Sequence, residues 1–287
     1  MFTFFRPTNR RARLIVGLML AGLFCIQCTR SNAFRQEKYL IPIANASDGI
    51  GSDQFHQKIN HLAKTDQIAL LEWCQANCAS RYRDYTCTFL KQERINGILG
   101  QAQEIRVKFL NSPYSVAMAW TPQTAPIGDR VVYVEGRYNN CMLVRPKGVL
   151  YNLIGTQLRD PNSAEAMQNT LRPVNMFGFH RSIESLLEVY RQAAQAGDLK
   201  TEFGGYVILG DRKAARLIRY LPPKNNYPAY RTVTYIDVDY LLPIMVEGYD
   251  WDDQPICQYL YKDLQFNLGL GEKDFLPESN DMKPPKS

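Results

Sequence analysis

Tyr259-Leu260-Tyr261-Lys262-Asp263-Leu264-Gln265-Phe266-Asn267-Leu268-Gly269-Leu270, followed by Lys273-Asp274-Phe275, ends a series of short alternating segments in the C-terminal part of the chain. It reads as the closing edge of a large antiparallel sheet. Working back from it, residues 243–251, 231–240, 214–220 and 202–209 carry the same strand signal, each bounded by turn residues. Ahead of them a helix is expected from Arg181 or Ser182 to Ala196. Ile183, Leu186, Leu187 and Tyr190 lie on one face, Ser182 is the candidate N-cap and Gly197 the stop.

Further upstream, residues 141–145, 149–154, 130–135 and 115–120 read as strands, too closely spaced for crossover helices, so hairpins must connect them. Glu104-Ile105-Arg106-Val107-Lys108-Phe109 alternates throughout, with one apolar and one charged face. Asn96-Gly97 separates it from a strand over residues 85–93, and Asn-Gly supplies the positive φ angles of a tight hairpin. From Thr65 the period changes: Leu70, Trp73, Cys74 and Cys78 recur at helical spacing, interrupted on that side by Asn77, with Thr65 or Asp66 as N-cap. A further helical piece is expected around residues 55–62. About eleven strands with at least two helices make an α+β chain whose sheet curls into an open or closed barrel, the helices filling its concave face.

The N-terminus looks like an address. Residues 1–33 hold five arginines and no acid, and an apolar run follows over residues 14–26. This is the layout of a signal peptide, with Ser31-Asn32-Ala33 as a cleavage pattern. A retained anchor is the alternative, because the run extended to Cys28 could span a thinned membrane. Lipidation at Cys25 or Cys28 would lack the small residue that should precede it, and Arg10-Arg11 is a poor twin-arginine signal. Export places the protein in the periplasm, or anchored to the membrane facing it. The rest divides into a loose linker (34–53), a single domain (54–276) and a disordered tail (277–287) containing Lys283-Pro284-Pro285-Lys286.

The formal charge of +6 comes mostly from the leader, since residues 34–287 carry 29 Lys and Arg against 28 Asp and Glu. A near-neutral domain gives no support to nucleic-acid binding. Membrane association is expected at most through the N-terminal segment. Five cysteines follow the leader, Cys74, Cys78, Cys87, Cys141 and Cys257. A bridge between the first helix and first strand is compatible with their positions, as are buried thiols.

Tyr85-Thr86-Cys87-Thr88-Phe89-Leu90-Lys91-Gln92-Glu93-Arg94, Asn96-Gly97, Ile105-Arg106-Val107-Lys108, Val134-Glu135-Gly136 and the ending Tyr261-Lys262-Asp263-Leu264-Gln265-Phe266-Asn267 with Asp274-Phe275 resemble the bacterial domain of unknown function 1571. That family is similar in turn to periplasmic lipoprotein carriers and outer-membrane lipoprotein receptors. The resemblance spans roughly residues 64–275. It implies an incomplete antiparallel barrel wrapped around helices and enclosing an apolar cavity.

Catalytic signatures are missing: no Gly-x-Ser-x-Gly elbow, His-Glu-x-x-His, phosphate-binding Gly-x-x-x-x-Gly-Lys or Gly-x-Gly-x-x-Gly occurs. His56 and His61 share no helix face, and His180 and Ser182 are too close in sequence to converge easily. Asp237 and Asp239 read as a solvated strand face, Asp250, Asp252 and Asp253 as turn residues, and Lys91, Glu93 and Arg94 as the charged side of the first hairpin. No metal, cofactor or catalytic residue is expected. The surplus is aromatic and apolar, with 17 Tyr and 13 Phe. Candidate lining residues for an apolar or lipid-like ligand are Leu70 and Trp73 on the first helix, and Phe89, Val107, Phe109, Met118 and Trp120 on early strands. Leu186 and Tyr190 on the second helix and Tyr235 on a late strand complete the set. Trp73 is expected against the apolar face of the sheet. The alternative to ligand binding is a sensor or scaffold that binds another envelope protein.

Overall fold

β13 (Pro255–Phe266), which carries the decisive stretch, is an inner strand and not an edge. It pairs with β12 (Leu242–Tyr249) on one side and with β2 (Asp84–Ile95) on the other. The last strand of the chain is thereby zipped to one of the first, and two wings spread from that seam. One runs from β12 through β11 (Arg231–Asp237), β10 (Arg212–Tyr220) and β9 (Lys200–Leu209) to β1 (Leu40–Pro42). The other runs from β2 through β4 (Gln103–Leu110), β5 (Ser115–Trp120), β6 (Gly128–Val134) and β7 (Met142–Pro146) to β8 (Gln157–Arg159). This computed structural model describes residues 40–42, 53–126 and 128–285, which belong to one compact unit. The expectations for residues 1–33 lie outside them.

Among the described residues the sheet has thirteen strands, the two-residue β3 (Ile98–Leu99) being a spur on β2. All pairings are antiparallel, and the edge strands β1 and β8 do not meet, so the barrel is incomplete. Register shifts in β10, β11, β12 and β13 bend the sheet, and Asp263, at φ 53°, sits in the β13 irregularity. Such bulges increase local twist and let a sheet curl around its contents. Asn96 and Gly97, at φ 51° and 81°, make the expected tight turn into β3.

The contents are helices α1 (Gln54–Thr65) and α2 (Gln67–Arg81), followed later by α5 (Phe179–Gln195). Asp66 does two jobs: its N–H closes α1 on Leu62 O, and its carboxylate caps α2 at Ala69 N, 2.9 Å away. Leu70, Leu71, Cys74 and Cys78 of α2 and Ile183, Leu187 and Tyr190 of α5 are buried together in the main core. Asn77, the polar break in the α2 stripe, donates to Tyr240 O at 2.9 Å and ties the helix to the β11–β12 turn.

Several expectations need correction. Trp73 is only half-buried: its ring meets Phe55 of α1 edge-on at 5.0 Å and lies under Lys58 Nζ at 4.1 Å. It packs helix to helix, so it seals α1 onto α2 and is not the wedge between helix and sheet that its size suggested. Residues 149–154 form a helix, α3 (Val149–Ile154), bounded by Gly148 and Gly155 at φ 67° and 70°. A six-residue apolar run satisfies both periods, and the flanking glycines decide it. The strand count rises to thirteen because β1, β3 and β8 are too short to announce themselves in sequence. α5 begins at Phe179, so Ser182 lies in its first turn with its N–H bonded to Gly178 O at 2.9 Å, and is no cap. The boundary is set by Gly178, at φ 102°, where a Cβ would strike the Phe109 ring at 2.7 Å.

Over its described residues, 277–285, the tail is packed. Phe275 and Met282 lie with Leu110, Val132 and Leu143 on the convex side of the β4–β7 wing. Thr156 Oγ1 donates to Lys283 O, and Lys283 N donates to Tyr151 Oη, both at 2.6 Å. Within the linker, Leu40–Pro42 is already a strand on β9. All five cysteines of the described residues are free thiols. Burial pushes Cys74 and Cys87 well above the usual thiol range and Cys78 to about 12.

Candidate functional site

A cavity of about 860 Å³ opens between the concave face of the sheet, α5 and the connection over residues 161–177. Strand parity explains its lining. On β2 the side chains of Tyr85, Cys87 and Phe89 point to the concave side, and the same alternation carries Lys91 and Glu93 inward at the far end of the strand. Ile105 on β4, Met118 and Trp120 on β5, Val131 on β6, Met142 and Val144 on β7, and Tyr259 and Tyr261 on β13 continue the wall. Leu186 and Val189 of α5 face them. No residue of α1 or α2 lines the space, because α2 fills the other part of the concave face.

The connection over residues 161–177, which contains the short helix α4 (Ala164–Met167), is tied down from several sides. The Tyr114 hydroxyl proton is shared between Phe177 O at 2.9 Å and Val174 O at 3.1 Å, and the Arg181 guanidinium lies 3.8 Å over the Tyr114 ring. Lys91 Nζ reaches Thr170 Oγ1 at 3.0 Å. Beside it Lys91 pairs with Glu93 at 3.1 Å, and Tyr259 Oη donates to the same carboxylate at 2.6 Å. Burial, with the neighbouring Cys257 and Glu93, raises the Tyr259 hydroxyl far above its ordinary range. Burial likewise pushes the Cys257 thiol to about 12. These groups are therefore neutral walls with polar tips at ordinary pH, and the acid among them is already neutralised by Lys91.

Of the ten residues that sequence reasoning selected, Phe89, Met118, Trp120 and Leu186 line the cavity. Leu70, Val107, Phe109 and Tyr190 belong instead to the solid core below it, where α2 and α5 meet the sheet. Trp73 sits against α1. Tyr235 is buried elsewhere, donating to Glu247 Oε2 at 2.8 Å. Lys91 and Glu93, expected on the charged side of the first hairpin, lie on the inner face with side chains 12% and 4% exposed. The missed residue of greatest interest is Arg219, whose parity with Ala215 and Leu217 on β10 points it inward; its 2% exposure places it on the cavity wall. That alternation was available in sequence, but an arginine near a strand end reads first as a solvated residue.

Asp237 also departs from expectation. It is fully buried, accepts from Arg212 Nε and Nη2 at 2.7 and 2.8 Å, and accepts from the N–H groups of Asp239 and Tyr240 at 2.9 and 2.8 Å. It fixes the β11–β12 turn. Asp239 is the exposed partner, shared between Arg212 and His56. Asp250 accepts from Asp252 N and Gln254 N, the turn role expected of it. Among the described residues no three His, Cys, Asp or Glu side chains gather as a metal site, and no helix is long and apolar enough to cross a membrane.

A comparison with curated proteins finds no match. Several solved structures are similar in fold at low sequence identity. Lipoprotein LppX of Mycobacterium tuberculosis is 10% identical at a TM-score of 0.41, covering 72% of this chain and 99% of that one. A LolA superfamily protein of Nitrosomonas europaea is 9% identical at 0.30, covering 74% and 97%. The MucA/MucB complex of Pseudomonas aeruginosa is matched at 16% identity and 0.36, covering 72% of this chain and 60% of that one. The family match is more direct: residues 82–283 fit the family described as "Protein of unknown function (DUF1571)", a span from the end of α2 to the packed tail. The chain belongs to the DUF1571 family.

Proposed function

We propose that this is an exported, non-enzymatic envelope protein that holds an acyl chain or a similar apolar ligand in the cavity between its curved sheet and α5. The observation that carries the reading is the cavity itself. At about 860 Å³ it lies within the roughly 300–1,000 Å³ of small-molecule sites, and its walls are mainly aromatic and aliphatic. Each methylene moved from water into such a space contributes about 0.8 kcal/mol. The basic and apolar pattern of residues 1–33 supports export, and the near-neutral charge of the remainder supports an apolar partner.

Native mass spectrometry of the protein purified from expressing cells tests this. The expected spectrum shows mass increments that organic extraction removes and added fatty acid restores. A spectrum with no adduct, before and after incubation with fatty acid, would sink the reading.

A second reading, docking of another envelope protein, has its own observation. Val149 and Leu153 of α3 are 82% and 75% exposed, beside the rim residues Leu150 and Ile154. Exposed apolar clusters of this kind are common at protein interfaces. Crosslinking in cells that recovers a protein bound at α3 would favour this reading over ligand carriage.

A further inference from the structure

Arg219 is the polar group of the cavity wall that its protein surroundings leave least satisfied. It is 2% exposed, yet its side chain makes a single hydrogen bond among the described residues, Nη2 to Thr232 Oγ1 at 2.9 Å. Nε and Nη1 have no acceptor among the described residues. The guanidinium lies 4.9 Å from the centre of the Tyr190 ring, and burial, opposed only by the Tyr190 hydroxyl, lowers its proton affinity. The acids nearby do not serve it. Glu93 is committed to Lys91 and Tyr259. Glu188, on the same wall, is exposed to solvent.

A buried guanidinium without an anion is costly, and buried polar groups left unpaired call for a partner. Arginine keeps its charge even here, and its planar donors suit carboxylate and phosphate oxygens. Of the other cations on the wall, Lys91 and Arg159 are paired with Glu93 and Glu165, and Arg172 is exposed to solvent. We infer that Arg219 anchors the anionic headgroup, a carboxylate or a phosphate, of an acyl-chain ligand whose chain runs along the apolar wall of β5, β6 and β7. Val189 of α5, and Pro228 and Ala229 ahead of β11, line the same cavity. The inference rests on the reading that the cavity takes an acyl chain, and it adds a polarity: head at β10, tail toward Met118 and Met142.

The test is a set of displacement titrations on the delipidated full-length protein with oleic acid, methyl oleate, oleoyl lysophosphatidic acid and monoolein, at a pH where both acids are ionised. The acids should bind at least about tenfold tighter than their neutral counterparts, the margin of a charge-assisted hydrogen bond. Arg219→Met should erase that margin while leaving methyl oleate affinity within about threefold of the parent, and Arg219→Lys should keep part of it. The better of the two acids distinguishes a carboxylate from a phosphate headgroup, and either supports the inference. Equal binding of acid and ester by the parent protein overturns it, and that result needs no variant. An unchanged acid preference in Arg219→Met also overturns it. If neither acid nor ester binds, the cavity reading itself fails and the anchor falls with it.

Discussion

Leu187→Ala should destabilise the protein by about 2–5 kcal/mol, the range for deleting a fully buried leucine from a core that cannot collapse around the hole. Leu187 has no exposed surface and lies in the core cluster that joins α5 to α2 and the sheet. Its neighbour Leu186 points the other way, into the cavity. Leu186→Ala therefore enlarges an existing space instead of opening a new one, and about 1 kcal/mol or less is expected. Urea denaturation of both variants reads the difference as a shift in midpoint at constant slope. Similar losses for the two residues would mean that the wall around Leu186 is solid core. The adjacent pair thus separates the part of α5 that builds the fold from the part that shapes the cavity.

Asp237→Asn should cost about 3 kcal/mol, because removing one partner of a buried, hydrogen-bonded ion pair strands the other. The amide oxygen, in the place of Oδ1, can still accept from the N–H groups of Asp239 and Tyr240 and from Arg212 Nη2, but its NH2, in the place of Oδ2, would face the Arg212 Nε donor. Arg212 is 27% exposed and recovers some hydration, which holds the loss at the low end for a buried pair. A protein of this size should then melt about 6–12 °C lower. Asp239→Asn, at an exposed site, should change stability by less than about 1 kcal/mol. Calorimetry of the two variants side by side is the check. Equal and small effects would contradict the role assigned to Asp237 in closing the β11–β12 turn.

These cases mark what sequence could and could not convey. Period-two alternation located the longer strands, and the helical spacing of Leu70, Cys74 and Cys78 located α2, because each pattern is local. The place of β13 was not local. Its pairing with β2 joins Tyr261 to Phe89, residues far apart in the chain, and nothing in either strand names its partner. Asp237 failed for the same reason: Asp-Val-Asp reads as a solvated face until Arg212 arrives from β10. Residues 149–154 failed because six apolar residues fit either period. At the site, parity on β2 and β5 was enough to bring Phe89, Met118 and Trp120 together. The same parity pointed Lys91, Glu93 and Arg219 inward, but charge outweighed position in the reading. Trp73, Leu70 and Tyr190 were selected for size and helical face, and those properties describe the core as well as they describe a cavity.

The chain has three tryptophans, and they stand in three different settings. Trp120 is on the cavity wall, Trp73 is between α1 and α2, and Trp251 is in an exposed turn. A protein carrying Trp73→Phe and Trp251→Phe keeps the Trp120 indole as its single fluorophore of that kind. Titrating it with a fatty acid brominated along the chain, against the unbrominated acid, measures contact between acyl chain and cavity wall. Saturable quenching by the brominated acid alone is the predicted result. Binding of the acid without quenching of Trp120 would place the ligand outside the cavity and contradict the account.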